Sequence, residues 1–479
     1  MKHMHLAPAS IFALAVFTIA PVSAPNPARP TPAEPGGTDW TTFGWDIGRS
    51  SASTAPTGID ASNIGSLRRQ QVQIEGTVDA SAIYLHGVQV GGVPHDVVFV
   101  TTIYGATLAV DANDGATLWR YLPPNAASWD RSRQITNSTP AADPTRQFIY
   151  AASPDGHIQK LAVADGHAVW STAITTLPTR EKIASPLGYY HGRVIATTGG
   201  YIGDAPPYQG HVAILDAESG RLLHVWNSLC SDTLALLDPS RCAESGSAIW
   251  GRAGAVIDST TGHIFVATGN GRWDGRTYWG DATLELDSTA TAMLGNYTPA
   301  NTDALDATDA DIGSTSPALL GGGYVAQGGK DGFIRLLDAN VMRGSEAHRG
   351  GELQRVPTPS GGRLFTALAV LRTDTATWLF AADHGATAAW AFRNGRLTPA
   401  WRNTNGGTSP VIAGGLLFVY DPDGGLRVYE PATGKRLALL DCGPGHWNSP
   451  IVVDGRIVLP EGNANDHRAN SVLDIWLLP

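Results

Sequence analysis

Five residues of the kind that act on ligands stand in turn-like stretches of this 479-residue chain. They are Trp250 in Ile249-Trp250-Gly251, Asn270 in Thr268-Gly269-Asn270-Gly271, Asp309 and Asp311 in Asp309-Ala310-Asp311, and Lys330 in Gly328-Gly329-Lys330-Asp331-Gly332. A carboxylate accepts protons, an amide oxygen is a neutral acceptor, an ammonium only donates, and an indole offers a flat apolar face. Each also has a plain structural use. Asn270 between glycines suits a left-handed turn, the two aspartates suit Asx-turns, and Lys330 before Asp-Gly suits a solvated turn. Lysine is scarce: the 33 basic residues include only five, Lys2, Lys160, Lys182, Lys330 and Lys435. Gly462-Asn463-Ala464-Asn465-Asp466-His467 gathers amide, carboxylate and imidazole, and reads first as a polar loop.

The elements that must position these residues repeat along the chain. Val97–Val100, Gly105, Leu108–Asp111, Gly115 and Trp119 recur as Phe148–Ala151, Gly156, Leu161, Asp165-Gly166 and Trp170, and again as Val194–Ala196, Val212–Asp216, Gly220 and Trp226. Later copies include Tyr324–Gln327 with Leu336–Asp338, Leu379–Ala382 with Trp390 and Trp401, and Leu416–Tyr420 with Gly434. Each copy is preceded by a short first strand, expected at Ala80–Tyr84, Ser138–Ala141, Ala184–Leu187, Arg252–Val256, Thr315–Leu319, Phe365–Val370, Ser409–Ile412 and Ser449–Val453. Period-two alternation and Gly- or Asp-Gly turns make these hairpins. Eight units spaced by about 40 to 45 residues predict an all-β, eight-bladed β-propeller of four-stranded blades. The eighth unit looks short, and Leu67–Ile74 can supply its missing strand, so the ring closes on an N-terminal strand. Trp119, Trp170, Trp226 and Trp401 each follow a turn and are expected to dock one blade on the next, with the indole N–H reaching a carbonyl.

Composition bounds the rest. The net charge of −10 argues against a nucleic-acid surface. Lys2, His3 and His5, the apolar run Ile11 to Ala20, and Val22-Ser23-Ala24 read as a signal peptide over 1–24. A Pro-rich linker over 25–38 follows, then a single propeller domain over 39–479. No later stretch has 18 apolar residues, so no membrane span is expected after the signal, and the location is periplasmic or secreted. In an exported chain, Cys230 and Cys242 are expected to pair, closing a loop worth roughly 3 kcal/mol, with Cys442 free. The absence of Cys-x-x-Cys-His means no covalently attached haem is expected.

The segments Ala109-Val110-Asp111-Ala112-Asn113-Asp114-Gly115-Ala116-Thr117-Leu118-Trp119 and Val428-Tyr429-Glu430-Pro431-Ala432-Thr433-Gly434 resemble the repeat of quinoprotein-type propellers. That superfamily includes the pyrroloquinoline-quinone (PQQ) dependent alcohol dehydrogenases and a cofactor-free propeller lipoprotein of the outer-membrane barrel-assembly machinery. The resemblance runs from about Asp39 to the end, and implies roles residue by residue. Trp250 would form the floor under the quinone ring and Asn270 would be a calcium ligand. Asp311, with Asp309 second, would be the catalytic base. Lys330 would contact the quinone oxygens, and Arg131 or Arg133 a quinone carboxylate. PQQ is a flat tricarboxylate, so it calls for an aromatic face, cations and a hard metal.

Two departures stand beside these matches. The chain has no vicinal Cys-Cys pair, and the third unit lacks the calcium-binding Glu of the enzymes; Asp204 is its only carboxylate, about three residues off register. The Cys230–Cys242 excursion is a candidate cap for the funnel in place of the missing pair. The resemblance therefore implies an exported PQQ- and calcium-dependent oxidoreductase acting on an alcohol-type small molecule with an external electron acceptor. The alternative is a cofactor-free propeller that binds protein or glycan as a scaffold.

Overall fold

Alternating Val, Ile, Leu and Ala between Gly-rich turns build eight antiparallel four-stranded sheets in the computed structural model, which describes Met1 and residues 37–344, 346–465 and 468–479. The proposed signal and nearly all of the Pro-rich segment lie outside the described residues, as do Asp466 and His467. Thr38–Pro479 forms one compact unit. Blade 1, for example, consists of Ile83–Val90, Val93–Thr101, Thr107–Asp111 and Thr117–Tyr121, and blade 5 of Ala318–Gly321, Tyr324–Gln327, Phe333–Asp338 and Gln354–Pro357. Blade 8 is made of Ile451–Val453, Arg456–Asn463 and Arg468–Leu477, completed by Arg68–Gln73 from the other end of the chain. Its register runs from Arg68 opposite Leu477 to Gln73 opposite Val472. Among the described residues no helix is long and apolar enough to cross a membrane.

The blades dock through the tryptophans. Trp119 Nε1–H donates to the Val163 carbonyl at 2.7 Å, and its ring lies flat on Gly166 of the next blade, where a Cβ would stand 2.5 Å from the indole. Trp170 and Trp401 repeat the arrangement, donating to Ala217 at 3.3 Å and Pro431 at 2.7 Å. Trp226 shares a core cluster with Ala290, which stands in the corresponding turn at φ +54°.

The first strands begin further along the chain than the sequence pattern places them. Blade 4 starts at Val256 rather than Arg252, blade 5 at Ala318 rather than Thr315, and blade 6 at Ala369 rather than Phe365. The residues that precede them, Arg252, Ser314 and Phe365, face a common cavity instead of a neighbouring strand. That shift is what supplies the propeller with side chains for a site.

Ring closure carries a charge cluster. Arg69 on the N-terminal strand pairs with Asp474 at 2.9 Å, Glu461 at 3.2 Å and Asp441 at 2.9 Å. Asp474 is fully buried and Glu461 nearly so. Replacing Arg69 by Ala leaves two buried carboxylates without their cation, and is expected to cost about 3–5 kcal/mol in chemical denaturation. Burial, with a hydrogen bond to Asp474, pushes Glu461 up to about 7. A carboxyl whose proton affinity is raised by folding favours the folded state at low pH, and that contribution is lost as pH rises from the ordinary carboxylate range to about 7. The stability advantage of Glu461→Gln over the parent is therefore expected to grow between pH 5 and pH 7.5, measured by urea melts; a constant difference would remove Glu461 as the cause.

Candidate functional site

Trp250 is held from two sides by chain segments that lack side chains. Its indole packs against Gly199, where a Cβ would lie 3.1 Å from the ring, and against Gly269, where it would lie 3.2 Å away. Tyr208 stacks on it with ring centroids 6.4 Å apart. The indole forms one wall of a cavity of about 200 Å³ shared with Tyr201, Asp204, Lys182, Arg252, Lys330, Phe365 and Trp447. These residues come from blades 3, 4, 5, 6 and 8 or the loops before them, so they can meet only near the centre of the ring. Phe365 and Trp447 lie against each other at 5.8 Å and form a second aromatic wall.

Lys330 sits between the walls. Its Nζ is 5.8 Å from the centroid of Trp250 and 5.9 Å from that of Phe365. It also reaches Asp309 Oδ1 at 2.5 Å and Asp311 Oδ2 at 2.6 Å. Burial works against its charge, but the two aspartates outweigh it and hold the ammonium protonated above its usual range. Asp311 is fully buried and accepts from Ser314 Oγ at 3.0 Å. Burial raises its proton affinity, and Lys330 and Ser314 offset only part of that. Asp309 is different: its side chain is 55% exposed, and Arg363 lies 3.5 Å from its other oxygen.

Asn270 adjoins this cluster. Its Nδ2 donates to the Asp306 carbonyl at 3.3 Å, while its buried Oδ1 has no hydrogen-bond partner. The sequence reading missed Asp281, on the same hairpin. Its backbone N–H donates to the Gly269 carbonyl at 3.0 Å and its Oδ1 accepts from the Ile312 N–H at 3.3 Å. Its Oδ2 is buried without a partner. Burial, followed by repulsion from Asp311 and Asp306, raises its proton affinity well above normal. Gly313 crosses so close to Thr268 and Gly269 that a Cβ would meet the Thr268 carbonyl carbon at 2.2 Å, which is how Asp281 and Asp311 come within reach of each other's charge. Asp204 joins from blade 3 through a hydrogen bond to Tyr208, and partial desolvation raises its proton affinity while Lys330 lowers it. The only sequence sign of Asp281 is its place after Trp279-Gly280, which resembles many turns.

The structure thus brings Trp250, Lys330, Asp309, Asp311 and Asp204 together, with Asn270 beside them. It does not bring the two arginines. Arg131 is 92% exposed and Arg133 is exposed, and neither lines the cavity. Cys230 and Cys242 form a disulfide, and Cys442 is free and buried. The disulfide loop packs on the 272–280 hairpin through Ser231 N–H to the Thr277 carbonyl, and the cavity is bounded by Tyr201–Asp204 rather than by this loop. A separate trio, Cys442, Glu461 and Asp474, has metal-ligand types in reach of one another. Burial holds that thiol protonated, its pKa pushed up to about 12, and Arg69 already pairs both carboxylates.

A flat polyanion with a hard cation fits this donor set. Two aromatic walls stand beside three cations, Lys182, Arg252 and Lys330. The orphaned oxygens of Asn270 and Asp281, on the hairpin whose Gly269 packs against Trp250, are hard donors of the kind calcium takes.

Comparison with known proteins agrees with the fold. A family profile described as outer membrane protein assembly factor BamB matches residues 51–233. The chain is 26% identical over 208 residues to a polyvinylalcohol dehydrogenase of Pseudomonas sp, covering 40% of this chain and 31% of that one. It is 23% identical over 401 residues to the polyvinylalcohol dehydrogenase of Sphingopyxis sp. (strain 113P3), covering 73% and 60%. The chain therefore spans less than two thirds of these curated relatives. Among solved structures, the quinohemoprotein alcohol dehydrogenase of Comamonas testosteroni superposes with a TM-score of 0.67 at 17% identity, over 92% of this chain and 80% of that one.

Replacing Lys330 by Ala strands Asp311 in the interior. The expected cost is about 3 kcal/mol in denaturant melts, largely recovered in the Lys330→Ala, Asp311→Asn double variant. Additive losses would show that the two groups do not interact.

Proposed function

As an eight-bladed propeller of the quinoprotein alcohol dehydrogenase-like superfamily, the chain is, we propose, an exported PQQ- and calcium-dependent dehydrogenase that oxidises an alcohol. The observation that carries this reading is the convergence of Trp250, Lys330, Arg252 and Lys182 on one aromatic-walled cavity, with the unpartnered oxygens of Asn270 and Asp281 on the hairpin that packs against Trp250. PQQ bound there would take up a hydride from the alcohol carbon and pass the two electrons to a separate acceptor.

The residues of the chain divide the remaining work. Trp250 supplies the face against which a planar ring lies, and Phe365 and Trp447 exclude water from the opposite side. Asn270 and Asp281, with Asp204 at the rim, would hold a hard cation. Lys330 presents its charge to the polar edge of the ring, and Asp311 with Ser314 keeps it charged and in place. Exposure favours Asp309 over Asp311 as the group that touches substrate, since Asp311 is sealed beneath Lys330. Asp309 takes the hydroxyl proton as the hydride leaves, so the alcohol loses one proton and two electrons with one hydrogen to become a carbonyl. Both named relatives are polyvinylalcohol dehydrogenases. Secondary alcohols, including polymer-borne ones, are therefore the first substrates to try.

One observation favours the second reading, a cofactor-free scaffold for protein or glycan: Lys330 is already neutralised by two carboxylates. The two readings part in one experiment. Purified protein is incubated with PQQ and calcium, then assayed for quinone absorbance and for dye reduction with primary and secondary alcohols. The dehydrogenase reading expects both signals, a fall in dye reduction of at least 100-fold in Asp309→Asn, and loss of calcium dependence in Asn270→Ala. No bound quinone in the parent protein would leave the scaffold reading standing.

A further inference from the structure

Among the described residues, two cations in the cavity form no ion pair. Lys182 lies in a two-residue ladder, Glu181–Lys182 against Gly199–Gly200, that runs beside the Trp250 floor. Among the described residues it makes no ion pair or hydrogen bond through its side chain. Arg252, two residues after Trp250, donates among the described residues only to the Ala184 carbonyl, at 3.3 Å, and lies over the Trp447 ring at 5.1 Å. The carboxylate whose field reaches both is Asp79, and its oxygens are already engaged by His446 Nδ1 at 2.8 Å, Asn137 Nδ2 at 2.9 Å and the backbone N–H groups of Trp447 and Ala464, both at 2.9 Å. Burial, with repulsion from Arg252, pulls Lys182 down to about 7. Burial pulls Arg252 down to about 10.

Unpaired cations held together in a half-closed cavity destabilise a protein unless something pairs with them. Chance does not account for them easily either: of five lysines in the chain, Lys182 and Lys330 line the same cavity. Arg252 is held by the Trp447 face on one side, which leaves the N–H groups not engaged by Ala184 for a planar acceptor. A guanidinium edge and a neighbouring ammonium are the partners that a carboxylate takes.

We propose that Lys182 and Arg252 form a carboxylate subsite for one end of a flat aromatic polycarboxylate whose ring rests on Trp250 and whose other polar edge meets Lys330. The subsite does the work that the resemblance assigned to Arg131 or Arg133, which lie exposed and outside the cavity lining. It rests on the reading of this cavity as the PQQ site.

The test measures binding and stability, with no turnover. PQQ is titrated into the purified protein with calcium, following tryptophan fluorescence, for the parent, Lys182→Met, Arg252→Met and Arg252→Lys. Loss of one charge-assisted contact is expected to weaken binding about 10-fold or more, and Arg252→Lys to fall between parent and Arg252→Met. The trimethyl ester of PQQ is expected to bind all four proteins within about threefold of one another, because it has no carboxylate for the cations to hold. Without ligand, Lys182→Met is expected to melt at or above the temperature of the parent, since it relieves an unpaired buried charge; a merely structural lysine would lower it. If PQQ binds the parent and the variants equally, the subsite is wrong and the cofactor reading survives. If PQQ does not bind the parent, the cofactor reading falls. Benzene-1,3,5-tricarboxylate then decides the subsite: binding that is lost in Lys182→Met and Arg252→Met keeps it, and no binding ends it.

Discussion

A ring of sheets has no free edge only if its first and last strands pair, and here that pairing joins residues about 400 positions apart. Arg68–Gln73 completes the last blade, and Arg69 carries its charge into a buried nest of two carboxylates. Once the ring is closed, the innermost strands converge and cannot keep neighbours along their whole length. The residues at their inner ends become loop. Those loop residues, Arg252, Ser314 and Phe365 among them, face the cavity. Closure therefore both stabilises the fold and creates the place where chemistry can be done.

Within that place, charge balance decides the arrangement. Asp309 and Asp311 gather around a single Lys330, and the hard oxygens of Asn270 and Asp281 are left without partners. In the same cavity, Lys182 and Arg252 form no ion pair among the described residues. A site with unpaired cations and unpartnered hard oxygens is poorly satisfied when empty. It becomes balanced when a hard cation and a planar polyanion enter together, and the indole between them fixes the plane of the ring.

The fold was legible because it repeats. A Trp shortly after an Asp-x-x-x-Gly, Asp-Gly or Asn-Gly turn recurs from unit to unit, and Trp119, Trp170 and Trp401 all dock on the next blade. The closing strand was legible too, since the last unit lacked one. Strand starts were less so: the pattern of alternating apolar residues continues inward past the point where a neighbour exists, so Arg252 looked like strand and is cavity wall. In the site, Trp250 and Lys330 stood out by type and context. Lys182, Asp281 and Trp447 did not, because nothing local distinguishes them; Lys182 and Asp281 reach Trp250 through the pairing of neighbouring segments, and Trp447 only through the ring. Arg131 and Arg133 show the converse error, a plausible charge at a plausible distance in sequence that the blade turns outward.

The central claim is that this cavity receives a flat quinone against Trp250 beside a bound cation. A crystal structure grown with PQQ and calcium tests it directly. The account predicts density for a planar group on the Trp250 indole, with Arg252 and Lys182 at one end, and a metal-sized peak within reach of Asn270 and Asp281. An empty cavity, with Lys330 still bridging Asp309 and Asp311 at high ligand concentration, would contradict it.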